Sequence, residues 1–574
     1  MQLIDFVVLA AYLVGTLAVG FYYSARNQRS SDMFAAGGRS PWWVSGLSGF
    51  MTLKSAGTFV VWGGLAYREG VVAIAINTCI GISALLVGWF VAGRWRRTGV
   101  TTPAEFVALR FGSGAVQLYT WAMMLLRIIS TGVALYAVAV MLVALVPLEP
   151  GHPLRDDATG HLSLAFAIGL FGLIIITYTV VGGLWAVLMT DVLQFIVLQL
   201  AALFVILLLW LDVRGAGTLA TLPEGFFLPF SNHYTPWFML GWIAVHFFIV
   251  GAEWAFAQRY ICVPAERDAR RSAWLFGALY LISPALWLTP PILFRMLDAH
   301  ASPEQAYILA SERVRPAGLL GLMMAAMFSA TASAVSGQIN VFAGVLTEQF
   351  YQRRFRPLAS QGRLVAAGRL FALIIGTALV LVALCVPSMG GAEKIVLTMT
   401  GMLFGPLMAP TIWGLMSGRI GSGTVYVTAF ASFAAGMVLK FGVEPGRLPY
   451  TGALAEWIQS NPRMSDVMVG AALPVIILTI AQLVLRGSHG RWQAVQERMD
   501  RYTPTPADEL AARDSSPMRI VAIAMGCSGL LTMGLMLINA QRRGALLVFG
   551  LALIVIALLA WRAGWPRRAR SVAR

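Results

Sequence analysis

The segment SGLSGFMTLKSAGTF, residues 45–59, places a charged side chain inside an otherwise apolar stretch that is rich in glycine. The charge belongs to Lys54, and a lysine at the centre of a bilayer costs about 2.5–3.5 kcal/mol on insertion scales. Gly46, Gly49 and Gly57 surround it, and glycine in a membrane helix permits either close packing or an interruption. We therefore expect a broken helix here, with a charge and unpaired main-chain groups near the middle of the membrane.

The composition predicts a polytopic membrane protein. Of the 574 residues, 58% are hydrophobic and 12% are charged, whereas about a quarter of the residues in a typical soluble protein are charged. The formal net charge of +16 arises largely from arginines between the apolar runs, as positive-inside topology requires, so it does not indicate a nucleic-acid partner. The four cysteines are scattered and show neither metal-binding nor redox spacing.

Apolar runs long enough to cross about 30 Å of hydrocarbon recur along the chain. The connections after the odd-numbered runs are rich in arginine, which favours an N-terminus outside the inner membrane of the cell and a cytoplasmic C-terminus. The first run has no basic residue before Arg26, so we expect a retained helix rather than a cleaved signal peptide. The runs predict fifteen spans, near 4–24, 41–67, 70–93, 115–147, 163–181, 183–211, 236–258, 272–297, 317–349, 364–387, 392–417, 422–441, 465–486, 518–539 and 544–562.

A second interruption is predicted in VHFFIVGAEWAF, residues 245–256, where Gly251 separates His246 from Glu253. The two interrupted segments hold corresponding positions in two five-helix halves. Paired breaks of this kind form the midplane binding sites of transporters with inverted repeats. The predicted organisation is a leading helix and loop (1–40), a first repeat (41–211), a second repeat (212–417) and accessory helices (418–574) with a cytoplasmic linker at 487–517.

Three stretches resemble a known family of membrane carriers. They are YTVVGGLWAVLMTDVLQFIVL (178–198), FAQRY (256–260) and GLLGLMMAAMFSATASAVSGQIN (318–340). The first is similar to the signature of the sodium/solute symporter family, and the likeness covers about residues 1–440. The resemblance implies an all-α LeuT-type bundle with two inverted five-helix repeats, one leading helix and about four additional C-terminal helices. It also implies alternating access driven by a sodium gradient.

The resemblance implies a sodium site between the first break and the eighth core helix, because oxygen ligands suit a hard cation. Carried over to this chain, the ligands are the carbonyl oxygens of Met51, Lys54 and Ala326 and the hydroxyl of Ser329. Ser333 lies one turn along the same face of the helix and could assist. Sodium is the expected coupling ion, and no other cofactor is expected.

The chain departs from the family pattern at two positions of this site. Ala330 stands where sodium-coupled members carry a second hydroxyl, and Lys54 stands where an apolar residue is expected. Three alternatives remain open for Lys54: it points away while sodium binds, its ammonium replaces sodium in a proton-coupled or sodium-independent carrier, or it forms an ion pair, with Asp191 near the ion exit path as partner. Arg127 is expected to pair with Asp191 or Glu253.

The substrate site implied by sugar-carrying family members involves four core helices. The matching positions here are Thr58, Asn77, His246 and Leu397, of which only Thr58 and Asn77 offer a hydroxyl or an amide. A sugar requires more hydrogen-bonding partners, so a sugar is not implied. Glu253 is a further candidate, with a structural or gating role favoured over substrate contact.

These features predict a secondary transporter that moves a small polar solute together with a cation across the bilayer. A membrane sensor is a remote alternative, because the sequence shows no kinase or regulatory module. An intramembrane enzyme is disfavoured because the chain contains no HExxH motif and no Gly-x-Ser-x-Gly nucleophile elbow.

Overall fold

A computed structural model describes residues 3–24, 38–215, 222–314, 318–389, 400–439, 453–486, 490–503 and 543–563, together with single residues between 519 and 533. These parts of the chain form a helical bundle. The one strand pair described is a short antiparallel ribbon of Arg155–Asp156 (β1) and His161–Leu162 (β2) in the connection before a long helix.

The described residues up to 215 contain eight α-helices. They are α1 (Leu3–Ser24), α2 (Trp42–Thr52), α3 (Gly63–Glu69), α4 (Val72–Phe90), α5 (Ala92–Arg97), α6 (Pro103–Phe111), α7 (Ser113–Leu145) and α8 (Leu164–Gly215). A π-helical turn, Thr58–Trp62, leads directly into α3.

The described residues after 221 contain thirteen more. They are α9 (Pro236–Ala252), α10 (Trp254–Ile261), α11 (Glu266–Leu297), α12 (Ala306–Val314), α13 (Leu319–Val345), α14 (Gln361–Cys385), α15 (Gly405–Met416), α16 (Ser422–Met437), α17 (Ala453–Ser460), α18 (Pro462–Val467), α19 (Leu473–Val484), α20 (Gly490–Asp500) and α21 (Arg543–Ala563). Further π-helical turns are Leu346–Phe355, Thr400–Phe404 and Met468–Ala472, and short 3-10 turns are Pro303–Gln305 and Val386–Met389.

The described residues contain seven helices long and apolar enough to cross a membrane, or eight when the bent pair α9 and α10 counts as one span. The fifteen predicted runs are therefore not all single long helices in this part of the chain. The predicted run 41–67, for example, is divided by a break, and the run 518–539 lies mostly outside the described residues.

Helix α8 corrects one predicted boundary, because it continues through the separation expected between 181 and 183. Phe171 packs on Phe328 with 4.8 Å between ring centroids, and Asp191 lies beside Ser333, so both predicted spans of α8 pack on α13.

The first predicted break is confirmed. Helix α2 ends at Thr52, residues 53–55 are non-helical, and helical structure resumes at Ala56. Thr52, Lys54 and Ala56 are all buried, so the interruption lies inside the protein rather than at its surface. The main-chain groups of these residues consequently need partners from elsewhere in the fold.

The second predicted break is confirmed as well, but its position differs by two residues. Helix α9 ends at Ala252, Glu253 is extended (φ −63°, ψ 135°), and α10 starts at an angle of 54°. Gly251 remains helical and permits close packing instead, since a Cβ there would lie 2.7 Å from Ile412. Glu253 also accepts a hydrogen bond from the main-chain nitrogen of Ala255, so it caps the new helix.

Helices α4 and α11 approach each other through glycine. A Cβ built on Gly81 would lie 2.9 Å from the carbonyl oxygen of Gly277, and a Cβ on Gly277 would lie 2.9 Å from the carbonyl oxygen of Gly81. Small residues at such crossings allow backbones to pack closely where lipid offers little hydrophobic driving force. This contact fixes α11 against α4.

The predicted linker contains helix α20, which packs on α6. Arg498 forms an ion pair with Glu105 at 3.1 Å, and Trp492 lies 5.4 Å from the guanidinium of Arg110. Val495 of α20 is also buried.

Candidate solute and ion site

A cavity of about 140 Å³ lies at the first break and extends toward α9. Its lining combines aromatic walls with convergent polar groups, which is typical of small-molecule sites. Polar residues of the lining include Lys54, Thr58, Asn77, Arg127, His246 and Gln338.

Hydrogen bonds to the main chain hold the first break in place. The nitrogen of Lys54 donates to the carbonyl oxygen of Met51 at 2.9 Å, and the nitrogen of Thr58 donates to the carbonyl oxygen of Ser55 at 2.9 Å. The nitrogen of Ala56 donates to the hydroxyl of Thr331 at 2.8 Å. The last bond crosses from the first repeat to α13 and fixes the break against that helix.

Helix α13 carries polar groups on two opposite faces. Thr331 contacts the first break, and Gln338, seven residues later on the same face, donates to Glu253 at the second break at 3.4 Å. Ser329 lies about 200° around the helix from Thr331, and Ser333, one turn after Ser329, lies beside Asp191. The cavity and the predicted ion ligands therefore use different faces of α13.

The predicted ion ligands are buried. Met51, Lys54, Ala326, Ser329 and Ser333 all have no exposed surface. The hydroxyl of Ser329 donates to the carbonyl oxygen of residue 325 at 2.6 Å, which leaves its lone pairs available to a cation. The hydroxyl of Ser333 is buried beside the carboxylate of Asp191.

Asp191 has Arg259 rather than Lys54 as its cationic neighbour. The hydroxyl of Ser48 donates to the carboxylate of Asp191, and Nε of Arg259 lies 3.2 Å from the same hydroxyl. All three side chains are buried. The FAQRY motif contains Arg259 but does not predict its partner, because the contact with Ser48 joins residues 211 positions apart.

Lys54 points into an aromatic cage. Its Nζ lies 3.6 Å from the ring centroid of Trp287, 4.0 Å from that of Tyr280 and 5.6 Å from that of Phe50. The side chain is fully buried, and its Nζ has no hydrogen-bond partner within the described part of the chain. Of the three alternatives for Lys54, the ion pair with Asp191 is therefore not found within the described residues.

The second break is held by charged and polar contacts. Arg127 on α7 pairs with Glu253, with 3.3 Å between Nη2 and Oε2. Of the two carboxylates expected as partners of Arg127, Asp191 and Glu253, it therefore contacts Glu253. The guanidinium of Arg127 also lies 4.3 Å from the ring centroid of Phe404. His246 and Glu253 lie on either side of the predicted interruption, because the chain bends between them.

The remaining substrate candidates differ in their placement. Thr58, Asn77 and His246 line the cavity. The amide nitrogen of Asn77 donates to the carbonyl oxygen of residue 73 at 2.9 Å, and Nδ1 of His246 lies 3.0 Å from the carbonyl oxygen of Trp242. Leu397 lies outside the described residues.

Sequence reasoning missed the cavity residues Gln338 and Tyr280. The spacing of Thr331 and Gln338 was a usable signal, because polar residues seven apart mark one face of an apolar helix. Tyr280 offers no such signal, since its helix α11 is rich in aromatic residues.

Comparisons with known proteins agree with this architecture. The sequence profile of the sodium:solute symporter family matches residues 33–221 and 273–427. The chain is 24% identical to the sodium/sialic acid symporter SiaT of Proteus mirabilis (strain HI4320), over 76% of this chain and 90% of that protein. It is 24% identical to the sodium/glucose cotransporter of Vibrio parahaemolyticus, over 77% of this chain and 86% of that protein.

A solved structure shows the same fold. The substrate-bound outward-open structure of a Na⁺-coupled sialic acid symporter aligns with a TM-score of 0.68 at 22% identity, covering 85% of this chain and 99% of that one. This likeness confirms the predicted inverted-repeat bundle, and the profile match, which spans more than half of the chain, confirms the predicted family. The chain belongs to the sodium:solute symporter family.

Proposed function

We propose that this protein is a secondary transporter that couples sodium movement to the transport of a small polar solute by alternating access. It acts in the inner membrane, with its N-terminus outside, and has no enzymatic activity. The observation that carries the proposal is the pair of breaks, at residues 53–55 and at Glu253, connected by Thr331 and Gln338 on a single face of α13. Broken helices that meet at a shared cavity are how inverted-repeat carriers hold their cargo.

The proposed ion site uses the carbonyl oxygens of Met51, Lys54 and Ala326 and the hydroxyls of Ser329 and Ser333. Ser333 takes the place of the absent hydroxyl at position 330, because its buried oxygen lies one turn from Ser329 on the same face of α13. Asp191 lies next to Ser333 and provides negative charge along the proposed ion path.

The proposed solute site is the cavity at the first break. Thr58, Asn77 and His246 offer hydrogen-bonding groups to the solute, and Arg127 adds a guanidinium held by Glu253. Glu253 is thus proposed as a positioning residue, and Leu397 stays a prediction. Sialic acid and glucose, named for the relatives above, are the first solutes to try.

The experiment is uptake by proteoliposomes that contain the purified full-length protein. With an inward sodium gradient, radiolabelled sialic acid or glucose is expected to accumulate, and replacement of sodium by choline is expected to abolish accumulation. Ser329→Ala is expected to raise the sodium concentration for half-maximal uptake at least tenfold. Ser432→Ala, which changes an equally buried serine on the accessory helix α16, is the matched control. Accumulation that is equal in choline would refute sodium symport.

A further inference from the structure

The end of helix α20 lies on a junction between the two predicted repeats. The hydroxyl of Tyr502, two residues past α20, donates to the carbonyl oxygen of Pro264 at 2.8 Å. Nε of Arg96, at the end of α5, donates to the same oxygen at 3.1 Å. The guanidinium of Arg96 also lies 5.0 Å from the ring centroid of Tyr502. One carbonyl oxygen of the second repeat is therefore shared by a side chain of the first repeat and a side chain of the linker.

Arg97 makes a second contact among the same three segments. Its Nη2 lies 3.4 Å from a carboxylate oxygen of Asp500, the last residue of α20, and its Nε lies 4.0 Å from the carboxylate of Glu266, the first residue of α11. The side chains of Arg97, Asp500 and Glu266 are 39%, 63% and 32% exposed. Water therefore screens both ion pairs, and each is weak. These contacts can form and separate without a large loss of stability.

The junction holds the end of the half-helix that follows the second break. Helix α10 begins after the bend at Glu253 and reaches its C-cap at Cys262, two residues before Pro264. The carbonyl oxygen of Cys262 accepts a hydrogen bond from the nitrogen of Ser40 at 2.9 Å, and its Sγ lies 3.3 Å from the hydroxyl of Ser45 in α2. Ser40, Ser45 and Cys262 have no exposed surface. The half-helices of the two breaks therefore meet here, and their meeting point is sealed from solvent.

We propose that α20 and Tyr502 form a cytoplasmic strap that keeps α10 against α2, so that release of the strap favours opening of the solute cavity to the cytoplasm. The inference rests on the proposed function, because alternating access requires such an opening. The bend at Glu253 gives α10 a hinge at one end, whereas the hydrogen bonds to Pro264 hold the chain just beyond its other end. Movement of α10 away from α2 separates Ser45 from Cys262 and breaks the contacts of the strap.

Cys262 provides a natural reporter of this opening. Its thiol is buried at the junction, so its rate of alkylation by N-ethylmaleimide measures how often α10 and α2 separate. Cys79 on α4 is also buried but lies beside Met239, away from the junction, so its rate measures general loosening of the fold. Both rates are obtained on the purified full-length protein in detergent, by mass spectrometry of the peptides that contain each cysteine.

Two substitutions weaken the strap without changing a residue of α10. Tyr502→Phe removes the hydroxyl that donates to the carbonyl oxygen of Pro264 and keeps the ring. Asp500→Asn keeps the size of the side chain and removes the charge that pairs with Arg97. Both changes are conservative and lie at a partly exposed surface, so the double variant is expected to fold.

The double variant is expected to raise the alkylation rate of Cys262 about fivefold or more, because local opening is governed by the contacts at that site. The rate of Cys79 is expected to stay unchanged. The matched control is Glu497→Gln in the same helix, which removes an exposed ion pair with Arg501 inside the linker. This control should change neither rate.

Two results would overturn the inference. One is a double variant in which Cys262 reacts as slowly as in the unmodified protein. The other is an equal rise at Cys262 and Cys79, because it would show that the substitutions loosen the whole fold rather than the junction. The labelling requires neither a solute nor a sodium gradient, and sodium symport is tested separately by the choline replacement, so either proposal can fail while the other holds.

Discussion

The ion pair between Arg127 and Glu253 leads to a quantitative prediction about how the second break is stabilised. The two charged atoms lie 3.3 Å apart, and the side chains are 13% and 0% exposed. At an effective dielectric constant of about 20, charges at that distance attract by about 5 kcal/mol. Part of this attraction offsets desolvation, and Gln338 and the amide of Ala255 also bond to the carboxylate of Glu253. We expect a coupling energy of about 2–4 kcal/mol.

A double-mutant cycle measures this coupling. The variants are Arg127→Met, Glu253→Gln and the double substitution, with the free energy of unfolding measured by denaturant titration in detergent. Each single change leaves one buried charge unpaired and is expected to cost about 3–5 kcal/mol. The double variant should be much more stable than the sum of the two losses predicts.

The matched control is an ion pair of the same type in an exposed setting. Arg498 and Glu105 lie 3.1 Å apart, with 42% and 28% of their side chains exposed. The same cycle with Arg498→Met and Glu105→Gln is expected to give less than about 1 kcal/mol, because water screens the pair. Losses at Arg127 and Glu253 that simply add would refute the argument that this pair holds the break.

Two further predictions concern the packing that surrounds the site. Thr331→Val removes the hydroxyl that accepts a hydrogen bond from the nitrogen of Ala56. The change is expected to lower the free energy of unfolding by about 1–3 kcal/mol, measured as a lower melting temperature in detergent. The control Thr428→Val loses only a hydrogen bond within its own helix and should lower stability less. Equal losses in the two threonine variants would argue against a role of Thr331 at the break. Gly81→Ala places a Cβ 2.9 Å from a carbonyl oxygen of α11 and is expected to destabilise by about 1–3 kcal/mol. Gly169→Ala meets no atom within 4 Å and is its control, so an equally stable Gly81→Ala protein would contradict the close approach of α4 and α11.

The existence of the two helix breaks could be predicted from the local sequence, but the exact position of the second could not. Glycine and an ionisable residue within an apolar run predicted both interruptions, and both exist. The second occurs at Glu253 rather than at Gly251, because the carboxylate caps α10 and pairs with Arg127. Gly251 instead packs against Ile412, a contact between residues 161 positions apart that no local pattern encodes.

The ion and solute residues divide in a similar way. Family resemblance assigned Ser329 to the ion site, and helical periodicity added Ser333 on the same face of that helix. The structure describes both side chains as buried. Helical periodicity also indicated that Thr331 points elsewhere, but its partner, the main-chain nitrogen of Ala56, required the tertiary structure. The direction of Lys54 was left open among three alternatives, and the contacts with Trp287 and Tyr280 identify it.

Hydropathy, arginine placement and short motifs were thus enough to predict a membrane bundle with two interrupted helices and its family, because these signals are carried by residues close together in the chain. The partners of the buried charges could not be obtained in that way. Arg127, Asp191 and Lys54 each face several candidates in the sequence, and burial makes the choice among them energetically large. That choice depends on which helices pack side by side, because the neighbours of these three residues, Glu253, Arg259 and Trp287, lie far from them in the chain.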